Sequence, residues 1–260
     1  MSTRTVAITG AAAGIGRATA LAFAERGWAV TAYDVDGAGL ASLPATVRTG
    51  TLDVTDPDAF ATALADLVAE HGRLDVLVNN AGLLRSGPFA EQDLGALRQE
   101  VAVNVTGVLH GMHAAFPHLR ATAAAHGSAL VVNLASASAI YGQAELANYS
   151  ATKFYVRGLT EALELEWRRH GIRVTDLWPL FVRTGMLDGV RTGTTDSLGI
   201  HLAAEDVAAA VLAAVDPPRL HRLTRRVHVP VGRQAGAMLL GSRFSPAWLT
   251  RAINRRLAHS

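Results

Sequence analysis

Residues 9–16 read Thr9-Gly10-Ala11-Ala12-Ala13-Gly14-Ile15-Gly16 and stand between an apolar run (4–9) and an amphipathic stretch (15–26). Glycines at a strand-to-helix turn let the backbone approach a pyrophosphate, and the helix N-terminus offers free N–H groups and the positive end of its dipole. The spacing is GxxxGxG, not the GxGxxG of the common dinucleotide fingerprint. Read alone, the stretch is equally an ordinary tight turn. Its place inside a repeated strand–helix pattern selects the phosphate reading. Gly10, Ala12, Gly14, Ile15 and Gly16 are therefore the first candidate cofactor contacts.

Working outward, short apolar runs at 4–9, 28–33, 47–52, 74–79, 128–134, 172–178 and 226–231 alternate with amphipathic stretches near 15–26, 57–71, 92–125, 147–170 and 204–215. Strands alternating with helices imply right-handed βαβ units and a parallel sheet covered on both faces. The strand runs are apolar at consecutive positions, as strands buried on both sides require. The expected fold class is α/β, doubly wound, with one domain over 1–232 and a basic, apolar extension over 233–260. Residues 183–203 lack clear periodicity and are rich in Gly and Thr, so a mobile substrate loop or short lid is expected there. The second run ends at Tyr33-Asp34-Val35-Asp36, and Asp34 lies 24 residues after Gly10. A carboxylate at that place suits the ribose hydroxyls of NAD and repels the 2′-phosphate of NADP.

The chain has 260 residues, half of them hydrophobic and 18% charged, so a sizeable core is available. No apolar run approaches the ~18 residues of a membrane span. The strand pattern starts almost at Met1, which leaves no room for a leader and makes the cytoplasm the expected location. The absence of cysteine excludes disulfides, a thiolate nucleophile and Cys-based metal sites. The ten histidines form no cluster with ligand spacing, and no metal is expected. Of 24 basic residues, Lys153 is the only lysine. A lone lysine in an arginine-rich chain points to a site needing a compact ammonium whose pKa can shift. Nine arginines and no acidic residue follow Asp216. Without stacking aromatics or a reader motif, nucleic acid is not an expected partner.

Tyr149 and Lys153 stand four residues apart near the start of a helical pattern, hence on one face. A free phenol, with pKa ~10, is too weakly acidic to act as a base at neutral pH, and a neighbouring cation favours its phenolate. Taken with TGAAAGIG (9–16), Asp53-Val54, Asn79-Asn80-Ala81-Gly82, Asn104, Ser136, YSATK (149–153) and Pro179 to Thr184, the chain resembles the short-chain dehydrogenase/reductase family over residues 4 to about 231. The resemblance implies a seven-stranded Rossmann-type sheet, homodimeric or homotetrameric assembly, and hydride exchange between NAD and a small secondary alcohol or ketone. It makes Tyr149 the general acid/base and has Lys153 lower the tyrosine's pKa while binding the nicotinamide ribose. Ser136 would hold the substrate oxygen, and Asn104 would anchor a water linking Lys153 to solvent. Asp53 and the Val54 backbone would bind adenine, and Asn80, Ala81 and Gly82 would close the far side of the adenosine site. Pro179, Val182 and Thr184 would receive the nicotinamide carboxamide.

Three positions depart from the family pattern: Leu180 replaces the usual Gly, Ala135 a Ser, and Thr152 a Ser. Leu180 puts the backbone beside the nicotinamide, or the width of the pocket, in question. Ile140, Tyr141, Leu146, Leu180, Phe181, Met186 and Leu187, with Ser136, are the expected substrate-pocket residues, which suits a lipophilic or alicyclic substrate. The tail after 233 reads either as a helical extension packing on the domain or a partner subunit, or, less favoured, as an amphipathic segment touching anionic membrane. Two rival functions share the fold: an NADP-dependent ketoreductase, and a non-catalytic NAD-binding sensor, which would tolerate loss of the Tyr, Lys or Ser that this chain keeps.

Overall fold

The computed structural model describes residues 3–187, 192–217 and 226–258. Seven parallel strands form one sheet: β1 (Thr5–Thr9), β2 (Ala29–Asp34), β3 (Val47–Thr51), β4 (Val76–Asn79), β5 (Ala129–Leu134), β6 (Ile172–Pro179) and, after the two-residue strands β7 (Val182–Arg183) and β8 (Leu202–Ala203), β9 (His228–Val231). Their order is β3-β2-β1-β4-β5-β6-β9. The order reverses between β1 and β4, and in open α/β sheets ligands bind outside the carboxyl ends of the strands at such a point. Helices α1 (Gly14–Ala24), α2 (Gly37–Ala41), α3 (Pro57–His71), α4 (Leu94–Val101), α5 (Gly107–His126), α6 (Ala147–Trp167), α7 (Gly193–Leu198), α8 (Ala204–Val215), α9 (Arg233–Phe244) and α10 (Ala247–Ala258) complete the described chain. The architecture is the doubly wound, Rossmann-type α/β sheet that the alternating pattern predicts.

The central strands β1, β4 and β5 are buried along their whole length, which accounts for their unbroken apolar runs. One face packs on α3, α5 and α6 through Phe60, Leu64, Met112, Leu119, Val156 and Trp178. The other packs on α1 and α8 through Phe23, Val207 and Val211. Helix α3 shows how local chemistry sets its ends. Asp56 accepts N–H bonds from Asp58 and Ala59, Pro57 occupies the first turn, and Gly72 stops the helix at φ 75°.

The structure differs from the sequence reading in two places. The pattern over 92–125 is one helix in the sequence reading, but a π-helical turn at Ala102–Thr106 separates α4 from α5. Periodicity cannot register one extra residue in a turn, and such turns recur at functional sites. Residues 183–203 are expected to be aperiodic, yet β7 and β8 pair in parallel across the base of this segment. Between them lie a 3₁₀ turn at Gly185–Leu187 and α7, which Thr192 caps. In the tail, α9 packs on the domain through fully buried Ala235 and partly buried Met238 and Leu239. Leu240, Phe244 and Trp248 stay exposed. No helix among the described residues is long and apolar enough to cross a membrane.

A buried polar ladder ties the centre of the sheet to its helices. Asn79 Nδ2 donates to Asn133 Oδ1 at 2.8 Å, and Asn133 Nδ2 donates to Thr160 Oγ1 of α6 at 2.9 Å. Helix α5 approaches Asn79 through Gly111, where a Cβ would overlap Asn79 Oδ1 and lie 2.8 Å from Phe60 Cζ. Gly111→Ala is expected to destabilise the fold by about 1–3 kcal/mol through overpacking. Urea unfolding with an unchanged midpoint would show that this contact is not tight.

Candidate active site

The glycine turn is held against the end of β4. Asn80 Nδ2 donates to both Thr9 O and Gly10 O at 2.9 Å, and Thr9 Oγ1 accepts from the N–H groups of Asn80 and Ala81 at 3.1 Å. Gly10 sits at φ +65°, and a Cβ there would lie 2.7 Å from Ala81 Cα. At Gly16 a Cβ would overlap the Gly10 carbonyl and reach within 2.5 Å of Asn80 Nδ2. Ala13 offers α1 no side-chain cap, and the first turn holds no acidic residue. Its leading N–H groups and positive dipole end are left for an external anion. Gly14, also at positive φ, faces Thr184, whose methyl would lie 3.2 Å from an added Cβ. A cradle that side chains would fill, at an uncapped helix start, fits a dinucleotide pyrophosphate.

Two carboxylates lie at the ends of neighbouring strands. Asp34 accepts from Ala12 N–H at 2.9 Å and Asp36 N–H at 3.0 Å, one on each oxygen. Each oxygen keeps acceptor capacity for a hydroxyl. Asp53, exposed, accepts both the backbone N–H and the hydroxyl of Thr55 on Oδ1. Buried Val54 turns its carbonyl to His110 Nδ1 at 3.0 Å.

The chemical groups converge at the carboxyl ends of β5 and β6. Ser136 follows β5 in an extended conformation, and its Oγ accepts from Ser138 N–H at 3.1 Å. Tyr149 and Lys153 occupy the first two turns of α6. Lys153 Nζ donates to Leu134 O at 2.8 Å and lies 5.4 Å from the centre of the Tyr149 ring. Burial pushes the Lys153 ammonium down to about 8, while the Glu100 carboxylate acts upward. Burial pushes the Tyr149 phenol up to about 12; a hydrogen bond with Ser136 pulls it down and Glu100 pushes it further up. Desolvation is the largest influence on this phenol.

Asn104, fully buried in the π turn, accepts Leu83 N–H at 2.7 Å and donates to Leu83 O at 2.8 Å and Thr152 Oγ1 at 3.2 Å. Its carboxamide thus ties the segment after Gly82 to α6. A Cβ on Gly82 would lie 3.3 Å from Asn104 Oδ1 and 3.9 Å from Lys153 Nζ.

A cleft of about 80 Å³ opens over these groups. Ile15, Asn80, Gly82, Pro179, Val182 and Thr184 line it together with Ser136, Tyr149 and Lys153. Leu146, Leu180, Phe181 and Met186 line it as the sequence reading expects. Ile140 does not line it; its side chain packs, partly buried, against the core. Leu180 folds its side chain into the apolar cluster with Tyr149 and Phe181, so the departure from Gly adds bulk to the wall. Gly10, Ala12, Asp34, Asp53, Val54 and Ala81 lie outside this cleft, along the turn and strand ends.

Sequence reasoning missed Leu83 and Leu84 in the wall, the Leu134 carbonyl that holds Lys153, and Glu100. Leu83 and Leu84 directly follow the NNAG segment, so adjacency could have found them. A backbone carbonyl leaves no mark in a sequence. Glu100 stands three residues after Leu97 and four before Asn104, on the buried helix face, and that spacing was a readable signal.

A family model described as short chain dehydrogenase matches residues 4–195. The cis-4-hydroxycyclohexanecarboxylate dehydrogenase of Sinomonas cyclohexanicum is 40% identical over 198 residues, 72% of this chain and 76% of that protein. A 3-ketoacyl-(acyl-carrier-protein) reductase from Brucella melitensis, complexed with NADH, superposes with a TM-score of 0.80 at 27% identity, covering 88% of this chain and 97% of the other. A short chain dehydrogenase from Burkholderia cenocepacia, in complex with NADP, does so with a TM-score of 0.82 at 26% identity, covering 100% and 99%. The chain belongs to the short-chain dehydrogenase/reductase family, whose members are nicotinamide-dependent oxidoreductases.

The glycine cradle yields a direct test. Gly16→Ala is expected to abolish NAD⁺ binding in isothermal titration calorimetry while the far-ultraviolet circular dichroism stays that of the parent. Binding within twofold of the parent would mean that this turn does not carry the cofactor.

Proposed function

We propose that the chain is an NAD-dependent dehydrogenase of a lipophilic or alicyclic secondary alcohol, or reductase of the matching ketone. The observation that carries this reading is the meeting of Ser136, Tyr149 and Lys153 in an apolar-walled cleft beside the glycine turn. The nicotinamide ring, when bound, supplies the carbon that takes or gives hydride. The relative that acts on a hydroxycyclohexane carboxylate supports an alicyclic substrate.

Each residue has a part that follows from its place. The glycine turn and the first N–H groups of α1 hold the pyrophosphate, Asp34 the adenosine ribose, and Asp53 with the Val54 backbone the adenine. Asn80, Ala81 and Gly82 keep the turn in register. Lys153 holds the second ribose, and Pro179, Val182 and Thr184 receive the carboxamide. Ser136 Oγ orients the substrate oxygen and donates to it as negative charge builds there. Tyr149 Oη gives a proton to that oxygen in reduction and takes one in oxidation. Leu83, Leu146, Leu180 and Phe181 exclude water and favour an apolar ring.

With the phenol near 12 and the ammonium near 8, both are protonated at neutral pH. Ketone reduction should therefore be flat below pH 8 and fall above it as Lys153 loses its proton. Alcohol oxidation, which needs the phenol deprotonated, should rise with pH over the same range. Tyr149→Phe should lower kcat/KM by roughly 10²–10⁴-fold in both directions. A pH-independent rate that survives Tyr149→Phe would remove tyrosine from the chemistry.

The preference for NAD rests on the Asp34 carboxylate, which repels a 2′-phosphate. Arg17, the basic side chain nearest in the first helix, is held on Ser42 through bonds of 2.7 and 3.0 Å. The kcat/KM ratio of NAD⁺ to NADP⁺ should exceed roughly tenfold, a difference of ~1.4 kcal/mol, and Asp34→Ser should shrink it. A ratio below one would favour the NADP-dependent ketoreductase.

A further inference from the structure

Glu100 is a fully buried carboxylate on α4, one turn before Asn104. Its Oε1 accepts Arg85 N–H at 2.7 Å, and its Oε2 accepts Asn148 Nδ2 at 2.6 Å. The same Asn148 amide donates to Leu97 O at 3.1 Å. Among the described residues no cation lies within salt-bridge distance of Glu100; the Arg85 guanidinium instead contacts Gln99 Oε1 at 3.4 Å. A buried carboxylate without an ion pair is costly, and an apolar side chain would fill the space more cheaply. Both oxygens accept N–H bonds, which is the geometry of the ionised form.

The two partners identify what the carboxylate joins. Arg85 ends the Leu83–Leu84 stretch that walls the cleft, and Asn148 immediately precedes Tyr149 at the start of α6. Asn104 makes a parallel tie one helical turn away, from Leu83 to Thr152. The buried face of α4 and the π turn thus holds the cleft wall to the helix that presents Tyr149 and Lys153.

We propose that Glu100 is a positioning residue for the reaction read above: it clamps the Leu83–Arg85 wall to the first turn of α6 and sets a buried carboxylate behind the Tyr149–Lys153 pair. This deepens the dehydrogenase reading and rests on it. The charged and titratable groups that face Glu100 are Arg85 from the loop after β4 and Lys153 and Tyr149 from α6. Burial raises the carboxyl itself above its usual range, while the Asn148 and Arg85 hydrogen bonds oppose that rise. Glu100 in turn acts upward on both Tyr149 and Lys153. Removing its charge therefore lets both lose protons at lower pH.

The single lysine makes the test direct. Protein labelled with ¹³C at the lysine ε-carbon gives one chain signal, from Lys153, whose chemical shift follows protonation without any turnover. The midpoint for the parent protein is expected at about 8. Glu100→Gln preserves the shape, and a turned Asn148 amide can meet the new donor by giving up its bond to Leu97 O. In that variant the midpoint should fall by about half a pH unit or more, and the alkaline limb of ketone reduction should move with it. Glu100→Leu should also raise KM for the ketone several-fold as the wall loosens, and Glu100→Gln should keep KM near that of the parent. A folded Glu100→Gln protein with the parent's lysine midpoint overturns the proposal, even if both variants lose activity or thermal stability. Failure of Glu100→Leu to fold leaves that criterion intact. Absence of parental turnover on a panel of secondary alcohols and ketones would fault the dehydrogenase reading, while the lysine midpoint still decides whether Glu100 acts on Lys153.

Discussion

The carboxamide of Asn80 donates to two successive carbonyls, Thr9 O and Gly10 O, and so holds the end of β4 against the turn that follows β1. Everything at the carboxyl edge of the sheet takes its level from that contact. The backbones come so close at Gly10 and Ala81 that a methyl group cannot enter. Gly16 packs as tightly on Gly10, so α1 starts directly over the strand ends with its N–H groups pointing outward. Asp34 is drawn to the same turn through Ala12 N–H. One short-range constraint therefore sets the glycine turn and the Asp34 carboxylate together.

Beside this frame lies a second set of buried polar groups, each satisfied by a named partner. Lys153 leans on the Leu134 carbonyl, Asn104 on both backbone groups of Leu83, and Glu100 on Arg85 N–H and the Asn148 amide. Leaving any such group unpaired costs about 1–3 kcal/mol. The network is therefore cooperative with the fold, and it puts the phenol and the ammonium in a dry setting. Desolvation then sets their proton affinities in opposite directions, up for the tyrosine and down for the lysine.

Where local chemistry is strong, sequence and structure coincide. Helix α3 runs over 57–71 as the pattern indicates because Asp56, Pro57 and Gly72 mark its ends. Helix α8 likewise begins at Ala204, with Asp206 accepting Ala203 N–H, and ends at Val215. The π turn around Asn104 was not legible, because its extra residue is selected by bonds to Leu83 and Thr152, far away in sequence. The pairing of β7 with β8 was hidden for the same reason: two-residue strands carry no periodic signal. In the tail, periodicity allowed either packing or surface contact, and α9 shows one buried side at Ala235 and one exposed side at Leu240 and Phe244.

The sequence by itself determined the alternation of strand and helix, the glycine turn, and the four-residue interval that places Tyr149 and Lys153 on one face. Each of these is a local matter of backbone freedom, burial period or helical pitch. The tertiary structure alone decided that Tyr149 and Lys153 are both buried. It also decided that Ile140 packs, partly buried, on the apolar clusters beside the cleft while Leu83 and Leu84 wall it, and that Glu100 hydrogen-bonds both the segment after that wall and α6. Those outcomes depend on which distant segments exclude water from one another, and solvent exclusion has no sequence spacing.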